Sequence, residues 1–244
     1  MSENSAEDII LTKDLVKNFK LDRDTIVKVL TGVNMRIKKG EFVAIMGPSG
    51  SGKSTLVNIL STLETITDGD VYIVGTNLKE LTNKEYLEIR RKTSSIVFQN
   101  FSLISYLTAL ENVKLPMILR GEDDETATRK AIAYLENVGL YGRMHHLPEQ
   151  LSGGEQQRVA IARALAHEPD IIYCDEPSGN LDTVTGREII SLFKQLSKEK
   201  NITVVMVTHD HEAAKQTDRL YILRNGKLAE EQISILNKRR GERK

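Results

Sequence analysis

The stretch Gly47-Pro-Ser-Gly-Ser-Gly-Lys-Ser-Thr55 fits the phosphate-binding pattern G-x-x-x-x-G-K-[ST]. Glycines in such a loop let backbone N–H groups approach an anion closely. The positive end of the helix that follows adds to the attraction. Further along, Leu151-Ser-Gly-Gly-Glu155 repeats the device, with a hydroxyl and two glycines opening a helix. Two anion cradles of different design in one chain point to a nucleotide held between two surfaces.

In that reading Gly47, Pro48, Ser49, Gly50, Ser51 and Gly52 form the first cradle. Lys53 reaches between the β- and γ-phosphates, Ser54 ligates Mg²⁺ and Thr55 meets the α-phosphate. The loop follows the apolar run Phe42–Met46 and precedes Leu56, Ile59, Leu60 and Leu63 at helical spacing. That strand–loop–helix context is the one the motif requires. The bland alternative is a Gly-Ser loop carrying an exposed lysine.

Other candidates end apolar runs. Asp175 and Glu176 follow Ile171–Cys174, and ligands of open α/β sheets bind beyond the carboxyl ends of strands. Asp175 there supports Mg²⁺, and Glu176 takes a proton from, or orients, an attacking water. The competing reading is an acidic pair that caps a turn, with Pro177 next in line. His209 follows Thr203–Val207 and is placed to donate to a γ-phosphate oxygen. Gln99 closes Ser95–Phe98, and its amide offers an acceptor for Mg²⁺ and a donor for water. Phe19 offers a face for adenine to stack on, or is a core aromatic at a strand end. Ser152 and Glu155 have capping-box spacing. Capping alone does not explain Gly153 and Gly154, each of which costs about 1 kcal/mol inside a helix; room for an incoming phosphate does.

The elements that must position these residues are legible in outline. Val33, Met35 and Ile37 alternate with polar residues, as do Val71 and Ile73, which predicts half-buried strands in a small antiparallel sheet. Lys39-Gly40 and Asp68-Gly69 are read as turns. Phe42–Met46, Ile171–Cys174 and Thr203–Val207 are continuously apolar, as strands buried on both faces are; Ser95–Phe98 is a fourth candidate. Ile189, Leu192, Phe193 and Leu196 repeat at helical spacing. Residues 100–150 read mostly as helix, with Glu122–Glu125 as an acidic helix start. The expected fold class is α/β: a core built around the phosphate loop on a mainly parallel sheet, an N-terminal antiparallel β subdomain and an inserted helical subdomain. All 244 residues are read as one domain, with 8–98 and 165–230 as core, 99–164 as helical subdomain and 231–244 as a charged, frayed tail.

Composition narrows the class. Lys and Arg number 34 and so do Asp and Glu, which excludes the basic footprint of a nucleic-acid binder. No apolar run approaches the ~18–20 residues that span a bilayer. The N-terminus is acidic and polar, unlike a secretory signal. The single cysteine, Cys174, fits a reducing interior. A cytoplasmic location is expected, with any membrane role exercised by docking onto another subunit.

In order and spacing these motifs resemble the ATP-binding-cassette (ABC) nucleotide-binding subunits, over residues 8 to 230. The run includes the phosphate loop, Gln99, Leu151–Glu155, Ile171–Glu176, Ser178-Gly-Asn-Leu-Asp182 and His209. Gln99–Val113, followed by Leu115-Pro-Met117, is similar to the lipoprotein-release, macrolide-export and cell-division branch (LolD/MacB/FtsE-like). The resemblance implies ATP and Mg²⁺ as cofactors and a second ABC ATPase protomer as partner. The protomers would pair head to tail on ATP binding. Ser152, Gly153 and Gly154 of one would close on the γ-phosphate held by Lys53 of the other, with Asp182 at the seam. It also implies an integral-membrane permease subunit, which places the protein on the inner face of the cell membrane. Gln99 and the cluster Phe101, Leu103, Ile104, Tyr106 and Leu107 would sense it, unless that cluster is simply the core of the helical lobe. The implied function is ATP hydrolysis that powers export or extraction of a lipoprotein, peptide or drug-like cargo. A non-transport regulator of cell-division type and a clamp ATPase acting on nucleic acid are the alternatives, the latter disfavoured by the neutral charge.

Overall fold

The computed structural model describes residues 8–22 and 25–238. The acidic N-terminal segment before Asp8 and the tail from residue 239 onward lie outside them. The chain runs β1 (Asp8–Lys20), β2 (Ile26–Lys38), β3 (Phe42–Met46), α1 (Lys53–Leu60), β4 (Asp68–Ile73), β5 (Thr76–Asn77), α2 (Asn83–Thr93), β6 (Ser94–Phe98), α3 (Ala109–Leu119) and α4 (Asp124–Asn137). It continues with α5 (Gly153–Leu165), β7 (Ile171–Asp175), α6 (Thr183–Lys200), β8 (Thr203–Val207), α7 (His211–Ala214), β9 (Arg219–Arg224), β10 (Lys227–Glu231) and α8 (Ile235–Lys238).

Two sheets form, as the sequence predicts. The first is antiparallel, in the order β2-β1-β4-β5. The second has the order β10-β9-β3-β8-β7-β6 and is parallel from β9 to β6. Its central strands β3 and β8 are buried along their whole length, because alternate side chains enter two separate cores. Phe42, Ala44, Ile172, Cys174, Val204 and Met206 join one core with residues of α3, α4, α5 and α6. Val43, Ile45, Tyr173, Val205 and Val207 join the other with α1 and the antiparallel sheet.

The parallel register carries the carboxyl ends of four strands to one edge. Asp175 lies level with Val207 and with Phe98. The residues just past these ends are Gly47, Gln99, Glu176 and Thr208.

Four local expectations are corrected. Leu63 is outside α1 and 47% exposed. The helix closes when Thr62 takes a left-handed conformation (φ 59°). Thr62 N–H then reaches the carbonyl of Ile59, and Leu63 N–H that of Asn58, the paired bonds of a Schellman close. Asp68-Gly69 is no turn: it begins β4, opposite an irregularity in β1 where Asp14 has φ 46°. A Cβ on Gly69 would stand 2.4 Å from the Asp14 carbonyl oxygen, so the bulge requires the glycine. Helix α2 lies outside the expected elements; it begins on a Thr82–Glu85 capping box and packs Tyr86 and Ile89, half-buried, against the second core. Residues 231–238 are more than a charged tail, since Ile233, Ile235 and Leu236 pack into the first core.

One buried bond fixes α1 to the sheet. Tyr173 is fully buried, and its hydroxyl donates to the Leu60 carbonyl at 2.8 Å. Tyr173→Phe keeps the ring and strands that carbonyl, so it should cost about 1–2 kcal/mol. A lower urea midpoint at unchanged slope is expected. An unmoved midpoint would show that the carbonyl finds another partner.

Candidate active site

The phosphate loop is held from both sides. A Cβ on Gly47 would lie 2.1 Å from the Leu223 carbonyl oxygen of β9. One on Gly52 would meet Val29 and Leu30 of β2 at 3.0 and 3.1 Å. Gly52 also has φ 100° and is the N-cap of α1, a conformation glycine adopts without steric cost. Lys53 Nζ donates to the carbonyls of Gly47 and Pro48 at 2.9 and 3.0 Å. An ammonium has three donors, so one remains to meet a phosphate oxygen.

Helix α1 differs from the other helices of eight residues or more. Those five begin on side-chain caps: Thr82, Thr108, Asp123, Ser152 and Asp182. Helix α1 has no side-chain cap and no acidic residue in its first turn. A missing cap costs about 1 kcal/mol, and the first-turn amides are left to external acceptors. Beside them, the buried Ser51 Oγ has no protein partner. The loop therefore offers donors to an anion at the positive end of a helix.

At the carboxyl end of β7, Asp175 is half-buried. Burial pushes its carboxyl above the usual range, the neighbouring Glu176 pushes it further, and the Lys53 ammonium opposes both. Cys174, one residue earlier, is fully buried, and its thiol is raised well above the ordinary range by burial and then by Asp175. Glu176 adopts φ 49°, a conformation that costs a non-glycine residue about 1–3 kcal/mol and tends to occur at functional sites. Its Oε1 is 2.8 Å from His209 Nδ1, and its Oε2 accepts from Thr208 Oγ1 at 3.3 Å and His209 N–H at 3.4 Å. A carboxylate only accepts, so Nδ1 is the donor of that pair. His209 Nε2 can then donate to a phosphate only from the doubly protonated ring. The Glu176 side chain is 17% exposed and that of His209 75%.

Gln99 stands at the same edge, past β6. Its Nε2 donates to Asn180 Oδ1 at 3.2 Å. Ser54, Gln99 and Asp175 would supply a hydroxyl, a carboxamide oxygen and a carboxylate to a metal. These are hard oxygen donors with a single carboxylate, the set that suits Mg²⁺ carried with substrate phosphates. A cation there would also relieve the penalty on the buried Asp175 charge.

The second cradle is built differently. Ser152 caps α5, accepting from Glu155 N–H while Glu155 returns a bond to Ser152 N–H at 2.8 Å. The main-chain N–H of Ser152, and then its hydroxyl, help hold the Glu155 carboxyl below the usual range. The two glycines have a cause the sequence does not reveal. A Cβ on Gly154 would stand 2.3 Å from Thr185 Cγ2, and one on Gly153 would stand 3.3 Å from Leu181 Cδ2. Close packing of α5 on the start of α6 thus accounts for Gly154 within a single chain. Asp182 caps α6 through the amides of Val184 and Thr185. A hydrogen bond from Thr185 holds its carboxyl below the usual range.

Phe19 is half-exposed near the end of β1, opposite Val27. The Lys17 ammonium lies 4.7 Å above its ring and is itself bonded to Glu64 and the Thr65 carbonyl. Of the cluster assigned to a membrane partner, Phe101 and Leu103 pack on the first core, whereas Tyr106 is 79% exposed.

Three positioning side chains escaped the motif reading. Gln157 of α5 donates to the Pro177 carbonyl at 2.8 Å, just after Glu176. Arg163 of α5 donates to the carbonyls of Ser102 and Phe101 at 2.7 and 3.0 Å. Asn180 holds Gln99. Each bonds across a sequence gap, all three of them to backbone carbonyls, which leaves no local signature to read.

Comparison with known proteins agrees with this geometry. A family model described as ABC transporter matches residues 30–179. The chain is 43% identical over 221 residues to the lipoprotein-releasing system ATP-binding protein LolD of Legionella pneumophila, covering 91% of this chain and 97% of that one. It is 49% identical over 205 residues to the macrolide export ATP-binding/permease protein MacB of Rhodopirellula baltica, covering 83% of this chain and 30% of that one. A solved ATP-binding cassette, described as a dimeric post-hydrolysis state bound to ADP and Pi, superposes with a TM-score of 0.83 at 44% identity. It covers 92% of this chain and 98% of that chain.

The packing role of Gly154 is open to test. Gly154→Ala should destabilise the fold by about 1–3 kcal/mol, the cost of overpacking. Adding Thr185→Ser removes the methyl in the way and should recover most of the loss. Thermal denaturation of the single and double variants reads both effects. No recovery in the double variant would mean that something other than Thr185 excludes the side chain.

Proposed function

The chain belongs to the ABC transporter family as its ATP-binding, ATP-hydrolysing subunit, and from that premise we propose how its residues divide the work. The observation that carries the reading is a convergence at one sheet edge. An uncapped helix start, Lys53 and the Asp175–Glu176 pair all meet there.

The amides of residues 47–55 and the Lys53 ammonium hold the phosphates, and Phe19 stacks on adenine with the face that Lys17 leaves open. Ser54, Gln99 and Asp175 hold Mg²⁺. When bound, that ion would supply positive charge to offset the charge of the phosphates. Glu176 orients the attacking water and takes its proton. His209 is steered by Glu176 toward the γ-phosphate oxygens.

Each site is completed in trans. Two protomers pair head to tail, and the Ser152 hydroxyl with the amides of Gly153 and Gly154 closes on the γ-phosphate held by the mate. Asp182 lies at the seam. The dimeric state described for the solved cassette supports this pairing. Closing and reopening drive an integral-membrane permease that docks on the helical lobe near Tyr106, and the protein works at the cytoplasmic face. The combined ATP-binding and permease name of one relative supports that partner. Among the described residues no helix is long and apolar enough to cross a membrane. The branch supports export or extraction of a lipoprotein, peptide or drug-like cargo; a transport assay with the co-purified permease would separate this from a purely regulatory role.

Two variants test the catalytic half. Glu176→Gln should keep ATP binding, lose at least about a hundredfold in turnover and accumulate as an ATP-bound dimer on size-exclusion chromatography; full turnover would remove Glu176 from the reaction. Lys53→Ala should weaken ATP binding by about tenfold or more, the loss of a charge-assisted bond, and calorimetry showing wild-type affinity would exclude the phosphate-loop role.

A further inference from the structure

Gln99 and Asn180 hold each other by two hydrogen bonds. Asn180 Nδ2 donates to the main-chain carbonyl of Gln99 at 3.0 Å, and Gln99 Nε2 donates to Asn180 Oδ1 at 3.2 Å. The first bond sets the amide of Asn180. A carbonyl only accepts, so the NH₂ end of Asn180 must face it, and Oδ1 is left for the side chain of Gln99. The second bond sets the amide of Gln99 in turn. Because Oδ1 only accepts, it selects the NH₂ end of Gln99. The carboxamide oxygen, the end a cation needs, is turned away from Asn180.

The surroundings enforce this order. A Cβ on Gly179 would stand 2.7 Å from Gln99 Nε2, so residue 179 must stay bare for Gln99 to reach Asn180. The turn that carries Asn180 is fastened to the strand end that carries Glu176. Gly179 N–H donates to the Glu176 carbonyl at 3.0 Å, and Leu181 N–H to that of Ser178 at 3.1 Å. Asn180 therefore refers the Gln99 side chain to the same turn that places the proposed proton acceptor.

We infer that Asn180 is a positioning residue that orients the Gln99 carboxamide, so that its oxygen and not its NH₂ group meets the cation carried with the nucleotide. The inference rests on the reading of Gln99 as a metal contact given above. Partners of this kind fix the direction of a metal ligand, and their loss weakens metal binding without removing the ligand. A merely structural role for Asn180, holding its own turn, would act whether or not Gln99 is present.

The test uses Mn²⁺ as probe, with the full chain and a non-hydrolysable ATP analogue. Free Mn²⁺ is read by electron paramagnetic resonance, so no turnover is needed. Gln99→Ala should weaken Mn²⁺ binding, and Asn180→Ala should weaken it about three- to tenfold. Gly179→Ala, which leaves Asn180 in place but crowds Gln99 Nε2, should weaken it in the same direction. In the Gln99→Ala background, Asn180→Ala should change nothing further. Wild-type affinity in Asn180→Ala or in Gly179→Ala, or an equal loss from Asn180→Ala in both backgrounds, would overturn the positioning role while leaving Gln99 as a metal contact. If Gln99→Ala itself binds Mn²⁺ normally, the metal reading falls and this inference falls with it.

Discussion

The register of the parallel strands is the constraint on which the site depends. β8 lies between β3 and β7, and β6 follows β7. The apolar side chains of β3, β7 and β8 alternate between two cores, whereas β6 at the end of the row leaves Phe98 exposed. A slip of one residue would exchange the two sets and turn Asp175 to the wrong face. Burying a Val, Ile or Met side chain is worth about 1.5–3 kcal/mol, and a slip would misplace many at once. Hydrophobic patterning far from any polar group thus fixes where Asp175, Glu176, Gln99 and His209 stand.

Within that frame, helix termini are used in two ways. The five other helices of eight residues or more satisfy first-turn amides with side-chain caps, while α1 leaves its amides to a ligand. Helix α5 is intermediate. Its cap uses the Ser152 oxygen as acceptor, and a hydroxyl keeps its hydrogen as a donor. That hydrogen faces the Glu155 carboxylate, so an incoming acceptor has to compete with Glu155 for it. Asp182 has no such donor. Its carboxylate is bonded to two amides of α6 and held ionised by them and by Thr185, so it offers a fixed negative charge and acceptor lone pairs.

The sequence disclosed what depends on local spacing. The phosphate loop, the continuously apolar strands and the two capped glycines at 153–154 could all be read from neighbours in the chain. It did not disclose what depends on contact at a distance. The bulge at Gly69 exists because Asp14, on another strand, lies against it. The need for Gly154 comes from Thr185 on α6. Thr62 closes α1 without the glycine that would announce it. Helix α2 packs Tyr86 and Ile89, half-buried, against the second core, an apolar repeat too short to stand out, although Thr82 and Glu85 carry capping-box spacing. Asn180 sits inside the Ser178–Asp182 motif, yet its partner is 81 residues away.

Bonds of that long-range kind also join the two cradles. Phe101 and Ser102, two residues past Gln99, sit at φ 60° and 48°, each at a cost of about 1–3 kcal/mol for a residue with a side chain. Such backbone persists only where its surroundings impose it. Arg163 imposes it here, spending a guanidinium on two adjacent carbonyls, while Phe101 packs its ring 3.6 Å from the Cβ position of Gly153 at the other end of the same helix. Gln157, between them, holds the turn after Glu176. Helix α5 is therefore bonded to the Gln99 loop and to the Glu176 turn along its length, and Ser152 is its cap. A shift of the Gln99 loop must either break these bonds, stranding partly buried donors at about 1–3 kcal/mol each, or carry α5 with it. The same helix is held to the Glu176 turn by Gln157 and to α6 by the close packing of Gly154 on Thr185, so the Gln99 loop, the Glu176 turn and the Ser152 cap are tied into one bonded unit.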